Sequence, residues 1–131
     1  MAGNSSNRAP GQRLSILLVD DEPFVLRALQ RILRDHDVRT AQSCEEAIPL
    51  LRERAPDLLV TDNAMPGCGG AELLRLSREL CPSAVRVMLS ATPPDETPAL
   101  IAEGIVERVL EKPWGPDIGV ILIATFQNAR R

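Results

Sequence analysis

The sequence predicts an α/β fold in which helices cover both faces of a five-stranded parallel sheet, a doubly wound arrangement. Short runs rich in Val, Ile and Leu alternate five times with helical stretches. Three of the runs are almost continuously apolar, which is typical of strands buried on both faces. Strict β/α alternation implies parallel strands joined by right-handed crossovers. The length of 131 residues allows one domain.

The five strands are predicted from the apolar runs, and the second of them is weak. They are residues 15–19, 38–40, 57–61, 85–89 and 108–110.

The helices are predicted between the strands and after the last one. Pro23 suits the first turn of a helix, and Ser43 with Glu46 forms a capping box that opens the second. Pro49 falls inside this second helix and removes a hydrogen bond at a cost of about 3 kcal/mol, so we expect a kink or a late start. The remaining helices are predicted at residues 71–80, 95–103 and 117–129.

Composition excludes several classes of protein. The chain is 44% hydrophobic and 25% charged, which is typical of globular domains. A net charge of −3 without a basic run argues against a nucleic-acid or anionic-membrane surface. An apolar segment long enough to span a membrane is missing from the sequence, and so is a signal-peptide core. We therefore expect a cytoplasmic domain over residues 14–131 behind a disordered tail, residues 1–13.

The cysteines and the single histidine favour no metal or catalytic cluster. Cys44, Cys68 and Cys81 are odd in number and lack C-x-x-C spacing, so we expect reduced thiols. Adding His36 gives the ligand count of a zinc site, but the spacing fits no zinc pattern. A lone histidine also argues against a catalytic triad, and we expect His36 to be a solvated turn residue.

Polar residues stand at the carboxyl ends of four predicted strands, where ligands bind in open parallel sheets. Asp20 and Asp21 follow the first strand, Asp62 the third, Ser90 the fourth, and Lys112, the only lysine, the fifth. Closely packed carboxylates repel one another unless a cation joins them. Hard oxygen ligands of this kind suit Mg²⁺.

Each of these residues also has a structural interpretation. Asp21 could cap the helix at Pro23, Asp62 and Ser90 could be turn residues, and Lys112 could be solvated. Their convergence on one sheet edge favours a functional site over four separate structural roles.

The chain resembles the receiver domain of two-component response regulators over residues 15–131. The resemblance is carried by short motifs: LLVDDEP at 17–23, TD at 61–62, MPG at 65–67, ELL at 72–74, LSA at 89–91 and KPW at 112–114. It implies a flavodoxin-like fold with strand order 2-1-3-4-5. The KPW ending is most similar to receivers attached to HD-type cyclic-dinucleotide phosphodiesterases or other multidomain regulators.

The resemblance also implies a metal site. In that family an acidic pair and the acceptor aspartate bind Mg²⁺, which here implies Asp20, Asp21 and Asp62. Ala64 would contribute its backbone carbonyl to the metal.

The same resemblance implies phosphoryl transfer from a sensor histidine kinase to Asp62, with Ser90 and Lys112 contacting the phosphoryl group. The residue chemistry agrees, because phosphoryl transfer needs positioning and charge neutralisation on three oxygens. A carboxylate nucleophile gives an acyl phosphate that water can cleave. We expect the chain to catalyse only its own phosphorylation and dephosphorylation.

The sequence departs from the usual pattern of the family at two positions. Val109 stands where the family usually has an aromatic switch, and Cys68 where Met or Leu is common.

A docking module of the same fold could act without phosphorylation. A phosphohydrolase could use Asp62 as nucleophile, although such enzymes favour Asp-x-Asp and this chain has Asn63-Ala64 and no inserted cap.

The last helix is apolar nearly all round, whereas a one-sided helix buries a single stripe. Helical spacing groups Ile118, Ile121, Leu122 and Thr125 on one face, and Val120, Ile123 and Ala124 toward another. We expect the second group to form an exposed patch for a homodimer or an effector domain. The alternative is a helix covered more deeply by the preceding loop and Trp114.

Overall fold

A computed structural model describes residues 13–130. The predicted tail, residues 1–13, lies outside the described residues except for Arg13. Within the described range, no helix combines the length and apolarity needed to cross a membrane.

Five parallel strands form one sheet, as the sequence predicts. They are β1 (Ser15–Val19), β2 (Asp37–Ala41), β3 (Leu58–Asp62), β4 (Val85–Ser90) and β5 (Arg108–Glu111). Their order in the sheet is β2-β1-β3-β4-β5, so the predicted strand order is confirmed. The register pairs Asp62 at the end of β3 with Leu89, and Ser90 at the end of β4 with Glu111. The ends of these strands therefore lie side by side.

A helix follows each strand. The helices are α1 (Pro23–Ile32), α2 (Cys44–Glu53), α3 (Gly70–Leu80), α4 (Thr97–Ala102) and α5 (Ile118–Ala129). In the cap of α2, Ser43 accepts a hydrogen bond from the Glu46 amide at 3.1 Å. The helix continues through Pro49 from its expected start, so the late start is wrong. Pro49 lies on the exposed side of the helix.

Two apolar clusters cover the two faces of the sheet. Alternate residues of β1 divide between them, with Leu17 and Val19 in one and Ile16 and Leu18 in the other. The first cluster includes the buried apolar side chains of α2, α3 and α4, and the second includes those of α1 and α5. This division confirms the doubly wound fold and explains why the strand runs read as continuously apolar.

A disulfide joins Cys44, the first residue of α2, to Cys68 in the loop after β3, with Cα atoms 5.8 Å apart. The expectation of reduced thiols is therefore wrong for this pair. The reason is that the β3–α3 loop folds back against α2, a contact that the separation of 24 residues does not reveal. Cys81 is a free, buried thiol, as expected.

His36 is less exposed than the solvated turn residue that the sequence predicts. It lies in the turn before β2, but its Nδ1 accepts a hydrogen bond from the Leu14 amide at 3.0 Å. Burial lowers the pKa of His36; Asp35 opposes this shift and Arg13 adds to it. The ring therefore ties the start of β1 to the turn as a neutral acceptor.

Helix α5 buries Ile118, Leu122, Thr125 and Phe126. The predicted exposed patch is smaller than expected: Val120 is 72% exposed, but Ile123 packs against the second cluster. Trp114 packs against the same cluster, in line with the alternative of a more deeply covered helix.

Candidate functional site

The residues predicted at the strand ends converge on one edge of the sheet. Asp20 and Lys112 directly follow β1 and β5, whereas Asp62 and Ser90 are the last residues of β3 and β4. The Lys112 amide also donates to the Ser90 carbonyl at 3.0 Å, which extends the pairing of β5 with β4 to the lysine. Parallel topology thus places an ammonium, a hydroxyl and carboxylates within one site.

Lys112 is the centre of this site. Its Nζ lies 2.9 Å from Asp20 Oδ2, 3.2 Å from Asp62 Oδ1 and 3.7 Å from Glu22 Oε1. Its side chain is only 16% exposed, so the solvated-lysine interpretation is wrong. Burial alone lowers the pKa of Lys112, but the hydrogen bonds and charges of Asp20 and Asp62 raise it above its usual value. The ammonium is therefore held charged between the two carboxylates.

Asp20 is fixed by the start of the following helix. Its Oδ1 accepts a hydrogen bond from the Glu22 amide at 2.9 Å, which leaves Oδ2 for Lys112. The N-cap of α1 is Glu22, and no side chain caps it. The interpretation of Asp21 as a helix cap is therefore wrong, and its partly exposed carboxylate belongs to the acidic cluster.

Asp62 is a buried carboxylate under electrostatic strain. Burial, followed by the charge of Asp20, raises its pKa above the ordinary aspartate value, and Lys112 counteracts only part of that shift. Repulsion between carboxylates has this effect when too few cations stand nearby. Burial and the neighbouring carboxylate thus both favour the protonated form of Asp62, and Lys112 opposes them.

The residues present fit a divalent cation. Asp20, Asp21 and Asp62 each offer a carboxylate oxygen, and the three oxygens lie within 4.8 Å of one another. One ammonium faces these three carboxylates, so the cluster retains excess negative charge. An all-oxygen donor set suits Mg²⁺, which binds through few carboxylates and keeps several waters.

The loop after Asp62 is wrapped tightly against its backbone. The Gly70 amide donates to the Asn63 carbonyl at 2.8 Å. A Cβ on Gly70 would lie 2.8 Å from Asn63 Cα and would also overlap the carbonyl of Asp62. Gly67 has a φ of 80°, a conformation that favours glycine. Two glycines thus allow the turn that carries the exposed Ala64 beside Asp62.

Ser90 takes part in a turn as well as in the site. It is buried, and its hydroxyl donates to the Thr92 carbonyl at 2.6 Å, as the turn interpretation predicts. Ser90 also lines the same cavity as Asp62 and Lys112. The two roles are compatible because the hydroxyl can rotate toward a new acceptor.

A cavity of about 880 Å³ opens over these polar groups. Its apolar walls come from the first turns of α1 and from the segment after Lys112: Phe24, Val25, Ala28, Pro113 and Trp114. Sequence reasoning missed Phe24, which is 61% exposed, and Glu22. Their place directly after the Asp20-Asp21 pair, at the helix that starts from this sheet edge, was the available signal.

Val109 occupies the position at which the family usually has an aromatic switch. It lies on β5, is partly buried and packs against the first apolar cluster. A branched aliphatic residue in contact with the core has a stiff side chain. The chain therefore has a stiff aliphatic side chain, in contact with the core, where the family usually has an aromatic one.

Comparison with known proteins identifies the family. The profile of the "Response regulator receiver domain" family matches residues 16–123. The hydrogenase transcriptional regulatory protein HoxA of Cupriavidus necator is 34% identical over 108 residues, which make up 81% of this chain and 22% of that protein. The chain thus spans about a fifth of the length of this relative.

Two solved receiver domains have a similar structure. The signal receiver domain of an HD domain-containing protein from Pseudomonas fluorescens Pf-5 is 29% identical, with a TM-score of 0.81 over 91% of this chain and 98% of that one. A CheY-like receiver domain protein from Methanospirillum hungatei JF-1, at 21% identity, has the same fold, with a TM-score of 0.82 over 91% of this chain and 97% of that one. With strand ends, motifs and relatives in agreement, this chain belongs to the receiver domain family of two-component response regulators.

Proposed function

We propose that the chain accepts a phosphoryl group on the Asp62 carboxylate from a sensor histidine kinase, in a reaction that depends on Mg²⁺. The observation that carries the proposal is the buried Asp62 carboxylate, 3.2 Å from the only lysine and beside an acidic pair. A buried carboxylate contributes little to stability even in an ion pair, because the cost of desolvation offsets the Coulombic gain. Its place at the ligand-binding edge of the sheet supports a chemical role.

Asp20, Asp21 and Asp62 would hold the metal ion, together with the backbone carbonyl of Ala64. When bound, Mg²⁺ neutralises charge on the phosphoryl oxygens and orients the reacting groups. The carboxylates contribute by their fixed positions, since Asp20 is held by the Glu22 amide. A cation beside Asp62 also lowers the pKa that burial and Asp20 raise, which keeps the nucleophile ionised.

The protein groups act on the transferred phosphoryl group in separate ways. An Asp62 oxygen forms the new bond to phosphorus as the donor's bond breaks, and the leaving nitrogen of the kinase histidine keeps the bonding electron pair. The Lys112 ammonium, already 3.2 Å from Asp62 Oδ1, can neutralise one phosphoryl oxygen. The Ser90 hydroxyl can turn from Thr92 to donate to another. Water later cleaves the acyl phosphate.

The proposal has consequences for partners and location. The chain would have no external substrate and would turn over only its own phosphoryl group. Receiver domains of this family act with kinases and often with output domains, and here the exposed Val120 on α5 would contact an effector or a second copy. The solved relative from Pseudomonas fluorescens belongs to an HD domain-containing protein, which supports a multidomain context for the KPW ending. We propose a cytoplasmic location, where such kinases present their phosphohistidine.

Phosphate-affinity gels test the proposal. The wild type, incubated with a small acyl phosphate and Mg²⁺, should show a retarded band that chelation suppresses. Asp62→Ala should show none. Asp35→Ala is the matched control, because Asp35 is exposed in the turn at the opposite edge of the sheet, and it should label normally. Labelling of Asp62→Ala at the wild-type level would reject Asp62 as the acceptor, and an unlabelled wild type would favour the docking module.

A further inference from the structure

The disulfide connects the acceptor loop to a different part of the fold. Cys68 lies six residues after Asp62, and Cys44 begins α2 behind the N-cap Ser43. The bond thus fastens the outer side of the β3–α3 loop to a helix that packs on the sheet. The third cysteine, Cys81, is remote from the pair: it is buried, and its Sγ donates to the Leu51 carbonyl at the other end of α2.

This loop forms part of the proposed metal site. It carries Ala64, and it is closed on the inner side by the bond from the Gly70 amide to Asn63. The disulfide provides a second, outer attachment at Cys68. The buried Met65 also anchors the loop, in the first apolar cluster. Loss of the disulfide removes the outer attachment of the loop from Asn63 to Gly69, so the Ala64 carbonyl becomes less firmly positioned.

The two sulfurs differ in accessibility. Cys68 is partly exposed, whereas Cys44 is buried at 4% exposure. Cys68 is therefore the more accessible half of the disulfide for an external thiolate, and the sulfur of Cys44 is the natural leaving group. Disulfides in a reducing compartment are usually transient and redox-sensing rather than structural. A cytoplasmic receiver with an accessible disulfide falls into that class.

We propose that Cys44 and Cys68 are a reversible redox modification site that exchanges with a cellular dithiol and controls how firmly the acceptor loop holds the metal ion. The inference rests on the proposed function in its assignment of the metal site. A thiolate of the dithiol attacks Cys68, the Cys44–Cys68 bond breaks, and Cys44 leaves as a thiolate that takes a proton. The second thiol of the dithiol then displaces Cys68. Two electrons pass from the dithiol to the cysteine pair, and the dithiol becomes a disulfide.

The proposal predicts tighter Mg²⁺ binding in the oxidised form. Loss of an outer contact to a metal site typically weakens metal affinity by tenfold or more. We therefore expect the dissociation constant for Mg²⁺ to rise about tenfold on reduction. At a Mg²⁺ concentration between the two constants, the oxidised protein should be phosphorylated faster.

Calorimetric titration with Mg²⁺ tests this directly. The full chain is oxidised with glutathione disulfide or reduced with a small dithiol, and alkylation followed by mass spectrometry counts its free thiols under denaturing conditions. The oxidised chain should react at Cys81 alone, and the reduced chain at all three cysteines. Cys68→Ser should bind Mg²⁺ like the reduced wild type in either buffer. Cys81→Ala is the matched control and should keep the redox difference.

The outcomes separate the proposal from the function on which it rests. Equal Mg²⁺ affinities of the two wild-type forms would overturn it, as would three free thiols after oxidation or a redox difference that persists in Cys68→Ser. Because the wild-type comparison needs no substitution, misfolding of a variant cannot decide the result. Different Mg²⁺ affinities in a protein that never labels at Asp62 would support redox control of the metal site and overturn the proposed function.

Discussion

Replacing Gly70 with alanine should displace the loop that carries the site. Gly70 is the first residue of α3, and its amide donates to the Asn63 carbonyl at 2.8 Å. The new Cβ would stand 2.8 Å from Asn63 Cα, whereas carbon atoms in contact are about 3.5–4.0 Å apart. The obstacles are backbone atoms, so no side chain can swing away. Asn63 or the start of α3 must move by on the order of an ångström.

The expected cost follows from overpacking. Added methyl groups in packed sites destabilise by about 1–3 kcal/mol, and an obstacle made of backbone favours the middle of that range, about 2 kcal/mol. For a domain of this size, that lowers the melting temperature by roughly 8 °C. The shift also moves the carboxylate of Asp62 relative to Lys112, so phosphorylation should slow by at least about tenfold.

Gly69→Ala is the matched control for this experiment. A Cβ on Gly69 would lie 3.5 Å from the Asn63 carbonyl, an ordinary contact, and its φ of −79° suits alanine. It should lose at most about 1 kcal/mol, because Gly69 is the N-cap of α3. Melting followed by circular dichroism and labelling with an acyl phosphate measure both effects. If Gly70→Ala had the same melting temperature as Gly69→Ala and were phosphorylated like the wild type, the close contact between Gly70 and the backbone of residues 62 and 63 would be refuted.

Three further substitutions test other parts of the site and surface. Lys112→Met leaves two buried carboxylates without their cation and should destabilise the metal-free protein by about 3 kcal/mol in urea titrations. Lys112→Arg should fold, but it should be phosphorylated poorly because a planar guanidinium replaces a compact ammonium. Asp62→Asn should raise the melting temperature of the metal-free protein at neutral pH. Since the pKa of Asp62 is raised on folding, its ionisation destabilises the fold as the pH rises through that pKa, and the gain should vanish in acid. Val120→Asp should abolish any dimer that a phosphoryl analogue induces in sedimentation runs, because Val120 is 72% exposed. A wild-type protein that stays monomeric with the analogue would reject the dimer.

The convergence of residues at the strand ends is the part of the site that the sequence predicts. Asp20, Asp62 and Lys112 are separated by up to 92 residues, yet their side chains meet. The meeting was predictable because parallel strands joined by helices must place their carboxyl ends on one edge. The hydrogen bond that holds Asp20, from the Glu22 amide, was not, because it depends on the local path of the chain.

The contacts between loops were beyond the reach of the sequence. The disulfide of Cys44 with Cys68 depends on how closely the β3–α3 loop folds against α2, and spacing alone carries no such information. His36 reads as polar and solvated, but a single amide of Leu14 recruits it as an acceptor. On α5, the apolar sequence predicts a broad exposed patch, whereas neighbouring elements cover Ile123 and leave Val120. Each of these features depends on contacts between segments that are distant in the sequence.

The most direct measurement is the position of the phosphoryl group in the labelled wild type. The protein is treated with an acyl phosphate and Mg²⁺, and borohydride then reduces the acyl phosphate to an alcohol, which marks the acceptor by mass in peptide sequencing. We predict that the mark lies at residue 62 alone and that a chelator prevents it. A mark at Asp20 or Asp21 with residue 62 unmodified, or marking that is independent of Mg²⁺, would contradict the assignment of Asp62 as a metal-dependent phosphoacceptor.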